Sequence, residues 1–167
     1  GRKIETWPIK GTVKRGKNEK EDAKLITQLL SSEKDEAELS MIVDLERNDL
    51  GKVSETGSVK VESHREIQKY SHVIHTVSKI SGQLHYQKDF FDAFASLFPG
   101  GSITGCPKIR SMEIIDELES YARNLYTGII FVANDRFLDS SIVIRTMIAH
   151  NGTVYFSVGG AVVYESI

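Results

Sequence analysis

The spacing of apolar residues predicts two amphipathic helices in the first third of the chain. Residues 17–30 place four apolar side chains on one side of a helix, namely Ala23, Ile26, Leu29 and Leu30. A second helix is predicted from Ser32 to about Asn48. Ser32 and Asp35 have the spacing of a capping box, with aspartate in place of the preferred glutamate or glutamine. Gly51 is expected to supply the turn that ends this helix.

Alternating and β-branched stretches predict strands in the rest of the chain. A short strand is expected at 58–62, and a longer one within 70–84. Three more strands are expected at 126–132, 141–148 and 153–158. Asn151-Gly152 is a strong signal for a hairpin turn between the last two.

Two further helices are predicted at 89–98 and 107–119, on either side of a glycine-rich loop at 99–105. The chain therefore mixes long helices with hairpins of antiparallel strands. This order predicts the α+β class, with mixed, largely antiparallel sheets.

The composition is that of an ordinary globular domain. The 167 residues suffice for one domain with a core, and 40% of them are hydrophobic. A net charge of −2 argues against a nucleic-acid surface, and no apolar run approaches the roughly 20 residues of a membrane span. The single cysteine excludes an intrachain disulfide, so the cytoplasm is the expected location. Both ends look cut, so residues 1–167 are expected to form one partial domain.

Glu38 stands where an apolar residue is expected. It shares the i, i+3, i+4 and i+7 positions of the second helix with Met41, Ile42 and Leu45. A carboxylate in such a stripe has to be paired, protonated or bound to a metal. Asp35 lies one turn earlier on the same side, and two carboxylates at this spacing can face a hard cation. The alternative is that Glu38 marks the edge of the stripe and pairs with a lysine.

Two more polar residues interrupt apolar strand faces. Alternation within 70–84 puts His75 on an apolar face, where a histidine is either a hydrogen-bonded core residue or a catalytic one. Arg145 is expected in mid-strand between apolar neighbours. Its planar guanidinium suits a carboxylate, which a ligand or an internal acidic residue could provide.

Lys10 lies in a short apolar run that does not need a cation. The run is Thr6-Trp-Pro-Ile-Lys-Gly-Thr12, which has the pattern of a strand followed by a turn. The lysine either extends to solvent or has a chemical role.

Two glycine-rich stretches are also candidate ligand contacts. Gly100–Gly105 precedes a helix and could hold an anion, and Val158–Ala161 ends a strand.

Taken together, six stretches resemble the chorismate-utilising enzymes, a family that includes anthranilate synthases, aminodeoxychorismate synthases and isochorismate-forming enzymes. They are Pro8–Thr12, Ala37–Gly51, Tyr70–Ser78, Phe98–Glu119, Ser141–Thr146 and Val158–Ala161. The resemblance covers essentially the whole chain and implies part of the two-sheet chorismate-binding fold of anthranilate synthase. Within the family, lysine at position 10 resembles the aminodeoxychorismate-forming members, whereas anthranilate synthases usually have alanine there.

The resemblance implies that chorismate is aminated at C4 to 4-amino-4-deoxychorismate, which feeds para-aminobenzoate and folate synthesis. It makes Lys10 the covalent nucleophile, whose amine the apolar residues 7–9 are expected to desolvate. It places His75 close to the reacting ring. Mg²⁺ is the implied cofactor. Glu38 is its implied ligand, and Asp35 is expected to assist without binding the metal directly. A glutamine amidotransferase subunit or domain is the implied source of ammonia.

The resemblance also assigns the substrate carboxylates. Tyr126 and Arg145 match residues that grip a carboxylate, and the rest of this cradle matches Thr12 and the backbone of Gly159 and Gly160. These residues are therefore expected to bind chorismate.

Departures from the family pattern leave alternatives open. Ala161 stands where the family usually has a third glycine, which predicts a tighter cradle. A second metal-binding glutamate is expected beyond Ile167 and a general acid before Gly1, which leaves the activity of this chain alone in question. One alternative is an anthranilate or isochorismate-type enzyme, against which Lys10 counts. The other is an inactive fragment that serves only as a binding module.

Overall fold

The computed structural model describes residues 1–160. These form two compact units, residues 2–97 (the N-terminal unit) and residues 98–160 (the C-terminal unit). Helices and antiparallel sheets occur in both, which confirms the predicted α+β class. Ala161, for which a tighter cradle is predicted, lies outside the described residues. Within the described part of the chain, no helix has the length and apolar composition needed to cross a membrane.

A four-stranded antiparallel sheet forms the centre of the N-terminal unit. Its strands are β1 (Lys3–Thr6), β2 (Ile9–Lys14), β3 (Lys60–Lys69) and β4 (Val73–Gln83). All three other strands pair with β4, with β1 and β2 matched to successive parts of it. The strand predicted within 70–84 is therefore confirmed and central. The strand predicted at 58–62 is longer than expected, at ten residues.

Three helices accompany this sheet, namely α1 (Glu19–Leu30), α2 (Glu33–Gly51) and α3 (Phe90–Leu97). Ser32 caps α2 as predicted, because its hydroxyl accepts the N–H of Asp35 at 3.2 Å. The helix runs three residues beyond its predicted end at Asn48. Its last turn carries Leu50, which is fully buried, so packing favours the extra turn.

The main core lies against one face of α2. Leu39, Val43 and Leu50 of this helix form a buried cluster with Ile80 of β4. The predicted stripe through Met41 is wrong in detail, since Met41 is exposed and the buried face is rotated toward Leu39. Packing against the sheet decides this rotation, and the apolar spacing alone left both faces available.

The C-terminal unit consists of two helices followed by two hairpins. The elements are α4 (Gly101–Thr104), α5 (Lys108–Leu118), β5 (Ile129–Ala133), β6 (Leu138–Ile142), β7 (Met147–His150) and β8 (Thr153–Phe156). β5 pairs with β6, and β7 pairs with β8. Asn151 and Gly152 form the second turn with φ of 47° and 74°, which confirms the predicted hairpin.

The glycine-rich stretch at 99–105 is not the loop that the sequence predicts. It contains the short helix α4, and the N–H groups of Ile103 and Thr104 both donate to the carbonyl of Gly100. The N–H groups of Ile103 and Thr104 thus already have partners, and the expectation that this stretch holds an anion stays a prediction.

The strand predicted at 141–148 is broken between β6 and β7. Val143 exchanges backbone hydrogen bonds with Thr127 and Gly128, and the chain bends after it. Arg145 lies in this bend with a φ of 53° and is exposed. Its predicted place in the middle of a strand is therefore wrong, because the N–H of Ile144 donates to the carbonyl of Ile142 in a tight turn just before Arg145.

Candidate active site

The pairing of β2 with β4 is irregular at one step. Ile9 lies opposite Val77 and Thr12 opposite His75, so three residues of β2 advance against two of β4. This two-against-one pattern is a β-bulge formed by Lys10–Gly11. The glycine has a φ of 88°, in the region that favours glycine. The turn that the sequence predicts after Ile9 is thus a bulge within the strand.

The Lys10 side chain reaches α2, where its Nζ contacts Oε2 of Glu38. The Glu38 side chain is only 4% exposed, whereas that of Lys10 is 32% exposed. A second lysine, Lys34, lies 4.0 Å from Oε1 of the same carboxylate. Glu38 is therefore a buried carboxylate paired with a lysine, and that lysine is the predicted nucleophile.

The apolar neighbours of Lys10 differ in their exposure, and Pro8 is buried. Trp7 and Ile9 are each 47% exposed. The desolvation expected from residues 7–9 stays a prediction. The contact that the structure shows at the amine is its ion pair with Glu38.

Thr12 and His75 face each other across the two strands. Thr12 Oγ1 and His75 Nδ1 are 2.8 Å apart and share a hydrogen bond. The ring of Tyr70 packs edge-on against the imidazole, with ring centroids 5.5 Å apart. Because Nδ1 is engaged with Thr12, a ligand would meet the Nε2 side of the ring.

The carboxylates of α2 fit part of a magnesium site. Asp35 lies close to the bulge, since a Cβ placed on Gly11 would be 3.5 Å from the Asp35 Cβ. Among residues 1–160, no group of three or more histidine, cysteine, aspartate or glutamate side chains could hold a metal ion. Mg²⁺ commonly takes one or two protein carboxylates together with substrate and water oxygens. Glu38 therefore fits as one ligand of such a site.

Two predicted residues of the C-terminal unit lie against each other. A Cβ placed on Gly159 would be 2.5 Å from the Tyr126 hydroxyl oxygen, so a side chain at this position would have to displace the end of the tyrosine. Tyr126 also lines a cavity of about 470 Å³ within this unit, together with Thr104 and Arg123. A cavity of this volume accommodates a small organic molecule.

The predicted site residues are thus divided between the two units. The N-terminal unit holds Lys10, Thr12, Asp35, Glu38 and His75. The C-terminal unit holds Tyr126, Arg145, Gly159 and Gly160. In the N-terminal set, Gly11 alone separates the Lys10–Glu38 pair from the Thr12–His75 pair along β2.

Sequence reasoning missed Glu46. Burial raises the pKa of the Glu46 carboxyl to about 7, opposed by a hydrogen bond from Thr6 at 2.6 Å and assisted by the charge of Asp49. The available signal was its spacing, because Glu46 follows Leu39 and Val43 at the i+7 and i+3 positions of the buried face.

Sequence reasoning also missed the buried carboxylate of Asp22. It accepts from the Arg15 guanidinium at 2.9 Å and from the Gly16 N–H at 2.7 Å. These two donors, the guanidinium first, hold the pKa of Asp22 below its usual range. The pair ties the first turn of α1 to the end of β2, so it fixes the helix relative to the strand that carries Lys10.

Comparisons with known proteins agree with these features. A family model described as chorismate binding enzyme matches residues 1–167. Aminodeoxychorismate synthase component 1 of Bacillus subtilis (strain 168) is 49% identical over 168 residues, which cover 100% of this chain and 36% of that protein. Anthranilate synthase component 1 of Acetivibrio thermocellus is 46% identical over 165 residues, which cover 98% of this chain and 33% of that protein.

A solved structure shows the same fold. Anthranilate synthase component I from Streptococcus pneumoniae TIGR4 matches with a TM-score of 0.78 and 39% identity, over 92% of this chain and 33% of that one. The chain spans about a third of the length of these relatives. The chain is about equally similar to relatives named aminodeoxychorismate synthase and to relatives named anthranilate synthase. The full-length family match and the identity to these relatives place the chain in the family of chorismate binding enzymes.

Proposed function

We propose that this protein aminates chorismate at C4, giving 4-amino-4-deoxychorismate, with Lys10 as the covalent nucleophile. The observation that carries the proposal is the Lys10 amine, which extends from a β-bulge and is held by the buried Glu38. The similarity to a relative named aminodeoxychorismate synthase component 1 supports the same reaction. The product would feed para-aminobenzoate and folate synthesis.

The proposed chemistry has two displacements. The Lys10 nitrogen forms a bond to the chorismate ring and loses a proton, while the C4–oxygen bond breaks and the hydroxyl leaves as water. Ammonia then bonds to C4, the bond from Lys10 to the ring breaks, and the proton lost by ammonia returns to the lysine. Chorismate and ammonia thus give aminodeoxychorismate and water. A covalent intermediate of this kind replaces one difficult step with two easier ones.

The remaining predicted residues have binding roles in this proposal. His75 presents its Nε2 side to the ring, and the substrate carboxylates are bound by Thr12, Tyr126, Arg145 and the backbone of Gly159 and Gly160. Glu38, assisted by Asp35, would hold Mg²⁺, which when bound neutralises the charge of the substrate carboxylate. A glutamine amidotransferase is the proposed source of ammonia.

The decisive experiment is Lys10→Ala in the full-length protein. Supplied with chorismate, ammonium and Mg²⁺, the variant should lose aminodeoxychorismate formation by on the order of a thousandfold or more, because no other group replaces the nucleophile. Lys14→Ala removes an exposed lysine from the same strand and should match the wild type. Product is measured by liquid chromatography with mass spectrometry. Undiminished amination by Lys10→Ala would exclude Lys10 as the nucleophile.

Anthranilate formation is the second candidate, favoured by the 46% identity to an anthranilate synthase component 1. The same assay separates the two, because anthranilate differs in mass from aminodeoxychorismate. Anthranilate as the main product of the wild type would overturn the proposed reaction. Isochorismate, which has the mass of chorismate but a different retention time, would overturn it as well. A folded protein that binds chorismate without converting it would favour a binding module.

A further inference from the structure

We propose that Thr76 is a positioning residue for Lys10, and that its buried hydroxyl fixes the bulge from which the lysine amine extends. This inference rests on the proposed function of Lys10. It concerns a residue whose side chain donates a hydrogen bond to the backbone of the proposed nucleophile.

The register places Thr76 directly opposite the bulge. On one side of β4, Thr76 pairs regularly with Ile67 of β3. On the other side it lies between the pairs formed by Val77 and His75, where two residues of β2 face one residue of β4. Thr76 is therefore the β4 residue that meets both Lys10 and Gly11.

The Thr76 hydroxyl forms a hydrogen bond with the backbone of the bulge. The side chain is 1% exposed, and its Oγ1 donates to the backbone carbonyl of Lys10. A bulge disrupts the regular ladder, so the carbonyl of a bulged residue needs a partner from elsewhere. The hydroxyl supplies that partner and is itself satisfied in the core by the same bond.

Gly11 completes the arrangement. A Cβ at this position would lie 2.9 Å from Thr76 Oγ1 and 3.0 Å from Leu29 Cδ1. Any larger residue would displace the hydroxyl or the leucine, so glycine is required by contact as well as by its φ of 88°. The absent side chain thus makes room for the bond between Thr76 and Lys10.

The orientation of the Lys10 peptide sets where its side chain starts. The amine must span from β2 to Glu38 on α2, and the bulge fixes the direction in which it leaves the strand. A nucleophile misplaced by about 1 Å can lose on the order of a hundredfold in rate. The bond from Thr76 would therefore act on turnover more than on substrate binding.

Three substitutions test the role of the hydroxyl. Thr76→Val keeps the shape and removes the donor, whereas Thr76→Ser keeps the donor. Ile74→Val, at a fully buried position of the same strand, controls for a general loss of stability. Native-state amide hydrogen exchange at Gly11 and Thr12 is the first measurement, because it reports the bulge without any reaction.

We expect Thr76→Val to speed exchange at Gly11 and Thr12 by about tenfold or more, beyond any change at the other β2 amides. We expect its kcat for amination to fall about 10- to 100-fold while KM for chorismate stays within about threefold. Thr76→Ser and Ile74→Val should keep both values within about threefold of the wild type. If Thr76→Val does not fold, Gly11→Ala breaks the same contact from the other strand and should give the same pair of effects.

Unchanged exchange at Gly11 and Thr12 in Thr76→Val would show that the hydroxyl does not hold the bulge. Faster exchange with unchanged kcat would show that the bulge does not position the lysine, and would equally overturn the inference. If the wild type forms no aminated product, the proposed function fails, and the exchange measurement still decides whether Thr76 fixes the bulge.

Discussion

The two units hold their predicted site residues in different ways. In the N-terminal unit, Glu38 is buried, and its partner Lys10 extends from a bulge that a buried threonine contacts. In the C-terminal unit, Gly101 and Val143 are the only buried residues among those described. Arg145 there lies in an exposed bend. Side-chain packing thus fixes the first set, whereas backbone conformation alone places Arg145.

This difference indicates which kinds of change each set tolerates. A residue fixed by packing moves when a core neighbour loses volume, because interiors are close-packed. A residue fixed by a turn is sensitive to the φ and ψ that the turn requires and insensitive to most nearby side chains.

The largest effect is expected from truncating the core of the N-terminal unit. Leu39→Ala removes a fully buried side chain and should lower the free energy of unfolding by about 2–5 kcal/mol. Ile130→Ala, at a residue that is 63% exposed in the C-terminal unit, should change it by less than about 0.5 kcal/mol. Chemical denaturation of the full-length protein measures both. Equal losses would contradict the contrast between the units.

The next effect is a pH dependence that originates at Glu46. Its folded-state pKa of about 7 lies above the ordinary value of 4.5, so the folded state holds this proton more tightly than the unfolded state. The stabilisation of the folded state by this proton is complete below pH 4.5 and is lost as the pH rises through about 7. Glu46→Gln cannot ionise and should exceed the wild type in unfolding free energy at pH 8 by roughly 3 kcal/mol.

Near pH 4 this advantage of Glu46→Gln should vanish, because the wild-type carboxyl is then protonated as well. Glu113→Gln, at a half-exposed carboxylate of α5, is the matched control and should show the same pH profile as the wild type. A Glu46→Gln advantage that is equal at pH 4 and pH 8 would show that packing, not ionisation, causes it.

The smallest effect compares two glycines. Gly152 has a φ of 74° in the β7–β8 turn, so Gly152→Ala should destabilise this hairpin by about 1 kcal/mol. Gly51 ends α2 with ordinary φ and open space around its Cβ position. Gly51→Ala should be neutral or gain up to about 1 kcal/mol. Hydrogen exchange of the β7–β8 and α2 amides measures the local stability of each element in the two variants. A loss of stability in Gly51→Ala as large as that in Gly152→Ala would refute the explanation from backbone conformation.

The sequence was informative where structure is local. The capping spacing of Ser32 and the Asn151-Gly152 turn each depend on a few neighbouring residues, and both elements form as predicted. The strand that became β4 was predictable because its first half is rich in β-branched residues, namely Val73, Ile74, Thr76 and Val77.

The remainder depends on contacts between distant segments. The register of β2 against β4 creates the bulge at Lys10, and no residue of the run at 6–12 signals it alone. The bend at Arg145 follows the last hydrogen bonds of Val143 to the distant segment at 127–128, after which the N–H of Ile144 turns back to the carbonyl of Ile142. Glu46 was visible only as a charge at a helical position whose burial depends on the rotation of α2. Lys10 and Glu38 were each singled out from the sequence, but their mutual contact was not predictable.

The extra residue in β2 also changes which residues of that strand face the same side of the sheet. In a regular strand, residues three apart face opposite sides, yet Ile9 and Thr12 oppose Val77 and His75, which are two apart and share a side. Pairing the same residues regularly, without the bulge, would place Gly11 opposite His75, move Thr12 on to Ile74 and turn its side chain to the other face. The one extra residue thus lets a short strand direct the Lys10 amine toward α2 and the Thr12 hydroxyl toward the His75 imidazole. The regular alternation of side chains in a strand without a bulge does not provide this arrangement.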